Sequence, residues 1–204
     1  MRLEGRIHDC AVLIAVGIEA SGKRRVLGCT VATSEAEINW RRFLESLLAR
    51  GLHGVKLIVS DDHAGLKAAR RAVLPSVPWQ RCQFHLQQNV GQFVTRQEAR
   101  KTVAATLRTI FDAPDKMQAE RLLQSALEAW RKEHPKLAEW AEVAVPEGLT
   151  VFDFPTAHRV RLRTTNFGLA RRTRRRVRPT RSISTSTRNP IVMSATAEIY
   201  RNTA

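Results

Sequence analysis

The chain has 204 residues, a formal net charge of +15 and a hydrophobic fraction of 43%, enough for one moderate domain or a domain with appendages. Its three scattered cysteines, Cys10, Cys29 and Cys82, argue against a disulfide scaffold and suit a reducing compartment. No apolar run is long enough to cross a bilayer, and the start from Met1 to Arg6 lacks a signal-peptide core, so a cytoplasmic protein away from membranes is expected.

The first element in chain order is the β-branched-rich run 10–18. A turn at 19–23 and a returning strand over 24–32 complete a hairpin of the kind that opens a mixed sheet. Ser34 and Glu37 fit a capping box, and Trp40, Phe43, Leu44, Leu47 and Leu48 follow at helical spacing up to Gly51. Residues 55–60 form a short apolar strand that stops at Asp61-Asp62. A helix through Leu66, Ala69 and Val73 comes next, closed by Pro75 and Pro78. A strand is expected over 79–82 and a helix from about Phe84–His85.

From about 97 to 145 the periodicity is helical throughout, divided at Pro114 and Pro135. This all-helical stretch interrupts the α/β pattern, which is expected to resume as a strand over 149–154, extended by 160–162. From Phe167 onward Arg, Ser and Thr dominate. A segment of that composition buries too little apolar area to offset its ordering entropy, so a disordered tail is expected over 167–204, with a short helix near 191–200 at most. No acid occurs between Asp153 and Glu198, whereas Arg stands at 159, 161, 163, 171, 172, 174, 175, 176, 178, 181 and 188. That block holds most of the positive excess. A basic run of this kind attracts a polyanion through counterion release, or else is simply a solvated tail.

Two places carry candidate chemistry. Asp61 ends a central strand beside a second acid, and a carboxylate there can hold magnesium, which prefers oxygen ligands and in pairs drives phosphoryl transfer. The same Asp-Asp pair also suits a loop or a helix N-cap. Cys82-x-x-His85 has the spacing of half a zinc site, but four ligands are required and no second half is visible. The other reading is a buried strand-end Cys beside a helix-capping His.

The run 54–69, Gly-Val-Lys-Leu-Ile-Val-Ser-Asp-Asp-His-Ala-Gly-Leu-Lys-Ala-Ala, resembles the second-aspartate motif of the Mutator-type insertion-sequence transposases. The segment 79–90 is similar to that family's Cys-x-x-His motif, and Arg163-Thr164-Thr165-Asn166 to the stretch that leads into its third carboxylate. The three motifs occur in order over roughly residues 2–166. The resemblance implies a ribonuclease H-like mixed sheet with an all-helical insertion at about 97–145. In that family two aspartates and a glutamate bind magnesium and cut and join DNA. Asp61 corresponds to the second aspartate, and Cys82 and His85 to a hallmark near the site with no catalytic role.

The chain departs from the family pattern at two points. The position of the first aspartate falls before Met1, and Phe167-Gly168-Leu169-Ala170-Arg171-Arg172 stands where the family has its glutamate. A reading-frame shift near Phe167 would account for the second departure. Residues 1–166 are thus expected to be a partial transposase catalytic domain and 167–204 an out-of-frame tail. The resemblance implies a transposase by descent, with element ends and target DNA as partners, a homo-oligomer in the intact family, and an incomplete magnesium site that leaves this chain inactive. The alternative is a non-catalytic DNA-binding protein that uses Arg171, Arg172, Arg174, Arg175, Arg176 and Arg178. A third reading is a metal-binding module built on Cys82 and His85.

Overall fold

The strand over Cys10–Ile18 alternates in burial up to Ala15 and is buried throughout from there to Ile18. The computed structural model describes residues 2–3, 6–7, 10–19, 23–165 and 192–200, in two units: residues 1–78 with 165–204, and residues 79–164.

In the first unit, β1 (Arg2–Leu3) and β2 (Arg6–Ile7) form a minimal antiparallel pair. The expected hairpin is present as β3 (Cys10–Ile18) and β4 (Arg24–Ala32), paired from Ala11↔Ala32 to Ile18↔Arg24. The register shifts between Ala15 and Val16, so that Leu27 is the extra residue of a bulge. Arg50 donates to the Leu27 carbonyl that the bulge leaves outside the ladder. Beside it, a Cβ at Gly28 would lie 2.8 Å from Leu47 Cδ2, so glycine lets the helix approach here. Helix α1 (Glu37–Ala49) buries Trp40, Phe43, Leu44 and Leu47, each apolar side chain contributing about 1.5–3 kcal/mol. It ends at Gly51, whose φ of 92° lets Leu52 N–H turn back to the Leu47 carbonyl at 3.0 Å. The start of α1 differs from expectation. Its N-cap is Ala36, with no side-chain bond, while Ser34 Oγ accepts from Ala36 N–H at 3.4 Å and from the Asn39 amide at 3.3 Å.

Strand β5 (Leu57–Ser60) is wholly buried and starts two residues later than the apolar run suggests. Helix α2 (Ala64–Val73) follows and packs on α1, with Leu66 and Ala69 buried. Its end is tied to the next turn by Arg70, which donates to the Val77 carbonyl at 2.8 Å. Burial, and then repulsion from Arg71, lowers the Arg70 pKa from its ordinary value.

The last strand of this sheet comes from the far end of the chain. Residues 192–200, expected to be a short helix or part of a disordered tail, form β7 (Val192–Tyr200). It lies between β3 and β5, in the order β4-β3-β7-β5, antiparallel to β3 and parallel to β5. Met193 and Ala195 are fully buried there. Hydrogen bonds to two neighbours and burial of these side chains outweigh the weak local preference of so short a segment. The rest of the expected tail, 166–191 and 201–204, lies outside the described residues.

The second unit opens with β6 (Trp79–Arg81) and α3 (Gln83–Asn89). The predicted helical stretch is three helices, α4 (Gln97–Phe111), α5 (Lys116–Glu133) and α6 (Pro135–Ala144). Asp115 caps α5 by accepting from Gln118 N–H at 2.8 Å, and Pro135 opens α6, where a missing N–H costs nothing. Leu107, Ile110, Phe111, Leu127 and Leu137 form the buried core between them. The strand expected over 149–154 is instead a 3-10 turn, Thr150–Asp153, and 160–162 belongs to α7 (Thr156–Leu162). Val151 and Phe152 are buried, but the Val151 N–H goes to the Gln80 side chain at 2.8 Å rather than to a neighbouring strand. Among the described residues, no helix is long and apolar enough to cross a membrane.

Candidate functional site

Asp61 follows directly on buried β5, so a rigid strand presents it at a carboxyl end, where open α/β sheets place their ligands. It is half-buried. Ser60, itself fully buried, donates its hydroxyl to the Asp61 carbonyl at 2.8 Å and fixes the backbone where the strand ends. The next two residues are held elsewhere. Asp62 pairs with Lys67 at 2.8 Å, and His63 Nε2 lies 2.8 Å from Glu35. The cap alternative for the two acids is not realised, because the N-cap of α2 is His63 and no side chain bonds there.

Gly65 allows this arrangement. A Cβ at that position would sit 2.3 Å from the Glu35 carbonyl oxygen, so the first turn of α2 rests on the backbone of the 35–37 turn. The sequence shows Gly65 as a helix opener, but nothing in it shows this close approach.

Cys82 and His85 belong to the second unit. Cys82 is fully buried and is the N-cap of α3, with Sγ 3.3 Å from Thr164 Oγ1. His85 is half-buried inside α3, edge-on to the Phe84 ring at 5.5 Å between centroids. The buried strand-end cysteine is as expected, but the histidine is no cap. Among the described residues no group of three or more His, Cys, Asp or Glu comes together as a metal would require. That holds for Asp61 as for the Cys82–His85 pair.

Around this motif lies a polar network that sequence reasoning missed. Gln80 is fully buried and donates to the Gly148 carbonyl at 2.6 Å while accepting from Val151 N–H. Gln83 donates to the same carbonyl at 2.8 Å. Thr150 reaches the Trp79 carbonyl at 2.9 Å, and Arg81 pairs with Glu147 at 3.2 Å. The Arg81 guanidinium also lies 5.8 Å from the centre of the Trp140 ring. The segment similar to the family's third motif is anchored here as well, with Gln83 N–H bonded to the Arg163 carbonyl at 2.9 Å and Arg163 paired to Asp112. Glutamine and arginine next to a motif read as surface residues, and only their partners reveal burial.

The expected DNA contacts Arg171, Arg172, Arg174, Arg175, Arg176 and Arg178 lie outside the described residues. Glu198 stands opposite Val12 in the β3–β7 register.

The family described as "Transposase, Mutator family" matches residues 1–187, a span that continues past Asn166. The transposase for insertion sequence element IS406 of Burkholderia multivorans is 79% identical over 184 residues, covering 90% of this chain and 47% of that protein. The transposase for ISRM5 of Rhizobium meliloti is 39% identical over 166 residues, covering 81% of this chain and 42% of the relative. That for IS1081 of Mycobacterium tuberculosis is 37% identical, covering 76% and 37% respectively. The chain thus spans less than half the length of these curated relatives.

Proposed function

The chain belongs to the Mutator family of transposases, and from that premise we propose that it is the central part of the catalytic domain of an insertion-sequence transposase, acting on DNA by strand cleavage and joining. The observation that carries this reading is the placement of Asp61, half-buried and directly after a wholly buried strand, in the chain's match to the family's second-aspartate motif. The mixed sheet and the three helices over Gln97–Ala144 support a ribonuclease H-like fold with a helical insertion.

In this reading Asp61 would be the metal-holding acid, and magnesium held there together with further acids would supply charge for phosphoryl transfer. The described residues alone do not fit that ion. Among the described residues Asp61 belongs to no group of three or more ligand-type side chains, and Asp62 is paired with Lys67. Two divalent ions about 4 Å apart repel strongly and need several carboxylates to offset the repulsion. The isolated 204-residue chain is therefore expected to bind DNA without cutting it. Its Arg171–Arg178 block would supply the phosphate contacts, in the cytoplasm where element and target DNA meet.

Incubation of the purified chain with a supercoiled plasmid, in magnesium or manganese, tests this. The expected result is retarded migration with no nicked or linear product. Metal-dependent nicking that disappears in Asp61→Ala would instead show that a complete catalytic set is present.

A further inference from the structure

Glu35 holds the start of α2 in two ways. Its carboxylate lies 2.8 Å from Nε2 of His63, the N-cap of that helix. Its carbonyl oxygen lies 2.3 Å from where a Cβ on Gly65 would stand, so the first turn of α2 rests on the same residue. The other ring nitrogen of His63, Nδ1, is buried and has no partner among the described residues. The bond to Glu35 is thus the polar contact that sets how the ring stands. With a side-chain exposure of 17%, Glu35 is screened less than the partner in an ordinary surface ion pair.

These contacts bear on Asp61 because β5 and α2 are joined by only three residues, 61–63. Each of the three is tied down. The Asp61 carbonyl accepts from Ser60, Asp62 pairs with Lys67, and His63 meets Glu35. Ser60 belongs to the strand and Lys67 to the helix, so those two ties lie within the stretch 60–67. Glu35 comes from the turn before α1, and it anchors the link to a separate part of the first unit. It also lies outside the run 54–69 that resembles the family motif, so no motif marks it.

We propose that Glu35 is a positioning residue: through His63 it fixes the three-residue link that carries Asp61 at the end of β5. The proposal rests on the reading of Asp61 given above, as an acid of the strand-joining site. Misplacing a reacting group by about 1 Å costs a rate roughly a hundredfold, and a short link released at one end permits a shift on that scale.

Two measurements test the role. In the 204-residue chain, the Lys67 amide reports on the first turn of α2, because it bonds the His63 carbonyl at 2.9 Å. Glu35→Ala should speed its hydrogen exchange about tenfold, with the amides of α1 and β5 unchanged. Glu35→Gln, whose side-chain carbonyl still accepts from Nε2, should stay near the parent. The second measurement uses the Burkholderia multivorans transposase carrying residues 2–166 of this chain in place of its own. There Glu35→Ala should lower the rate of strand joining at saturating DNA by about ten- to a hundredfold. The DNA concentration giving half the maximal rate should not move, and Glu35→Gln should recover most of the rate. His63→Ala should match Glu35→Ala, and the double variant should be no slower than either. Joining at the parent rate in Glu35→Ala, with none in Asp61→Ala, would overturn the positioning role and leave the reading of Asp61 standing. Joining that survives Asp61→Ala would overturn both. Exchange that accelerates equally across α1, β5 and α2, or a Glu35→Gln variant as slow as Glu35→Ala, would also overturn the proposal.

Discussion

Ser60 and Gly65 hold the candidate site in place without any charge of their own. Ser60 fixes the backbone at the end of β5, and Gly65 lets α2 start against the 35–37 turn. Adding one methyl at Gly65 must move backbone, because the atom met at 2.3 Å is a carbonyl oxygen. Gly65→Ala should therefore destabilise the chain by about 1–3 kcal/mol. Gly51→Ala meets no atom and suffers only from its φ of 92°, so it should cost about 1 kcal/mol. Urea denaturation of the two variants, compared with the parent, checks that order. In the second unit, Gln80→Leu removes the partner of buried Val151 N–H and one donor to Gly148. A loss of about 1–3 kcal/mol is expected in the same assay. Asp61 was legible in the sequence because an acid after a short apolar strand is a recognisable pattern. Gln80 was not legible, since two of the groups that bond its buried side chain lie 68 and 71 residues away.

At the level of elements, legibility followed how local the cause of each element is. Helix α1 carries its own amphipathic pattern and its own glycine stop, and α4, α5 and α6 fall within the range their periodicity predicts. Residues 150–153 and 192–200 were misread for a common reason. In the first, a glutamine side chain takes the bond that a strand partner would have taken. In the second, two strands distant in sequence impose extension on a segment of weak local preference. Amide exchange should show the consequence. The amides of β3, which lies between β4 and β7, should exchange more slowly than those of β4, at the end of the sheet order. Ala195→Asp should remove that difference and also deprotect β5. Unchanged protection in that variant would contradict the insertion of β7.

Charge acts at the level of the whole molecule. The excess of +15 is concentrated toward one end of the sequence, and an unevenly basic chain of this kind should bind duplex DNA weakly and without sequence preference. Affinity should fall with salt by a log–log slope of roughly −0.9 per phosphate contacted. Replacing Arg171, Arg172, Arg174, Arg175, Arg176 and Arg178 by serine should flatten that slope and remove most of the binding in a fluorescence titration. Full affinity after the replacement would move the DNA contacts onto the folded units. Whether the chain works as transposase machinery is decided most directly in the context of a longer relative. Residues 2–166 can be exchanged for the matching segment of the Burkholderia multivorans transposase, which is 79% identical across the region of similarity, and strand joining measured on that element's ends with magnesium. The exchanged protein should join strands, and Asp61→Ala within the exchanged segment should reduce joining below detection while expression and DNA binding persist. Joining that continues undiminished with Asp61→Ala would contradict the assignment of Asp61 as the metal-holding acid.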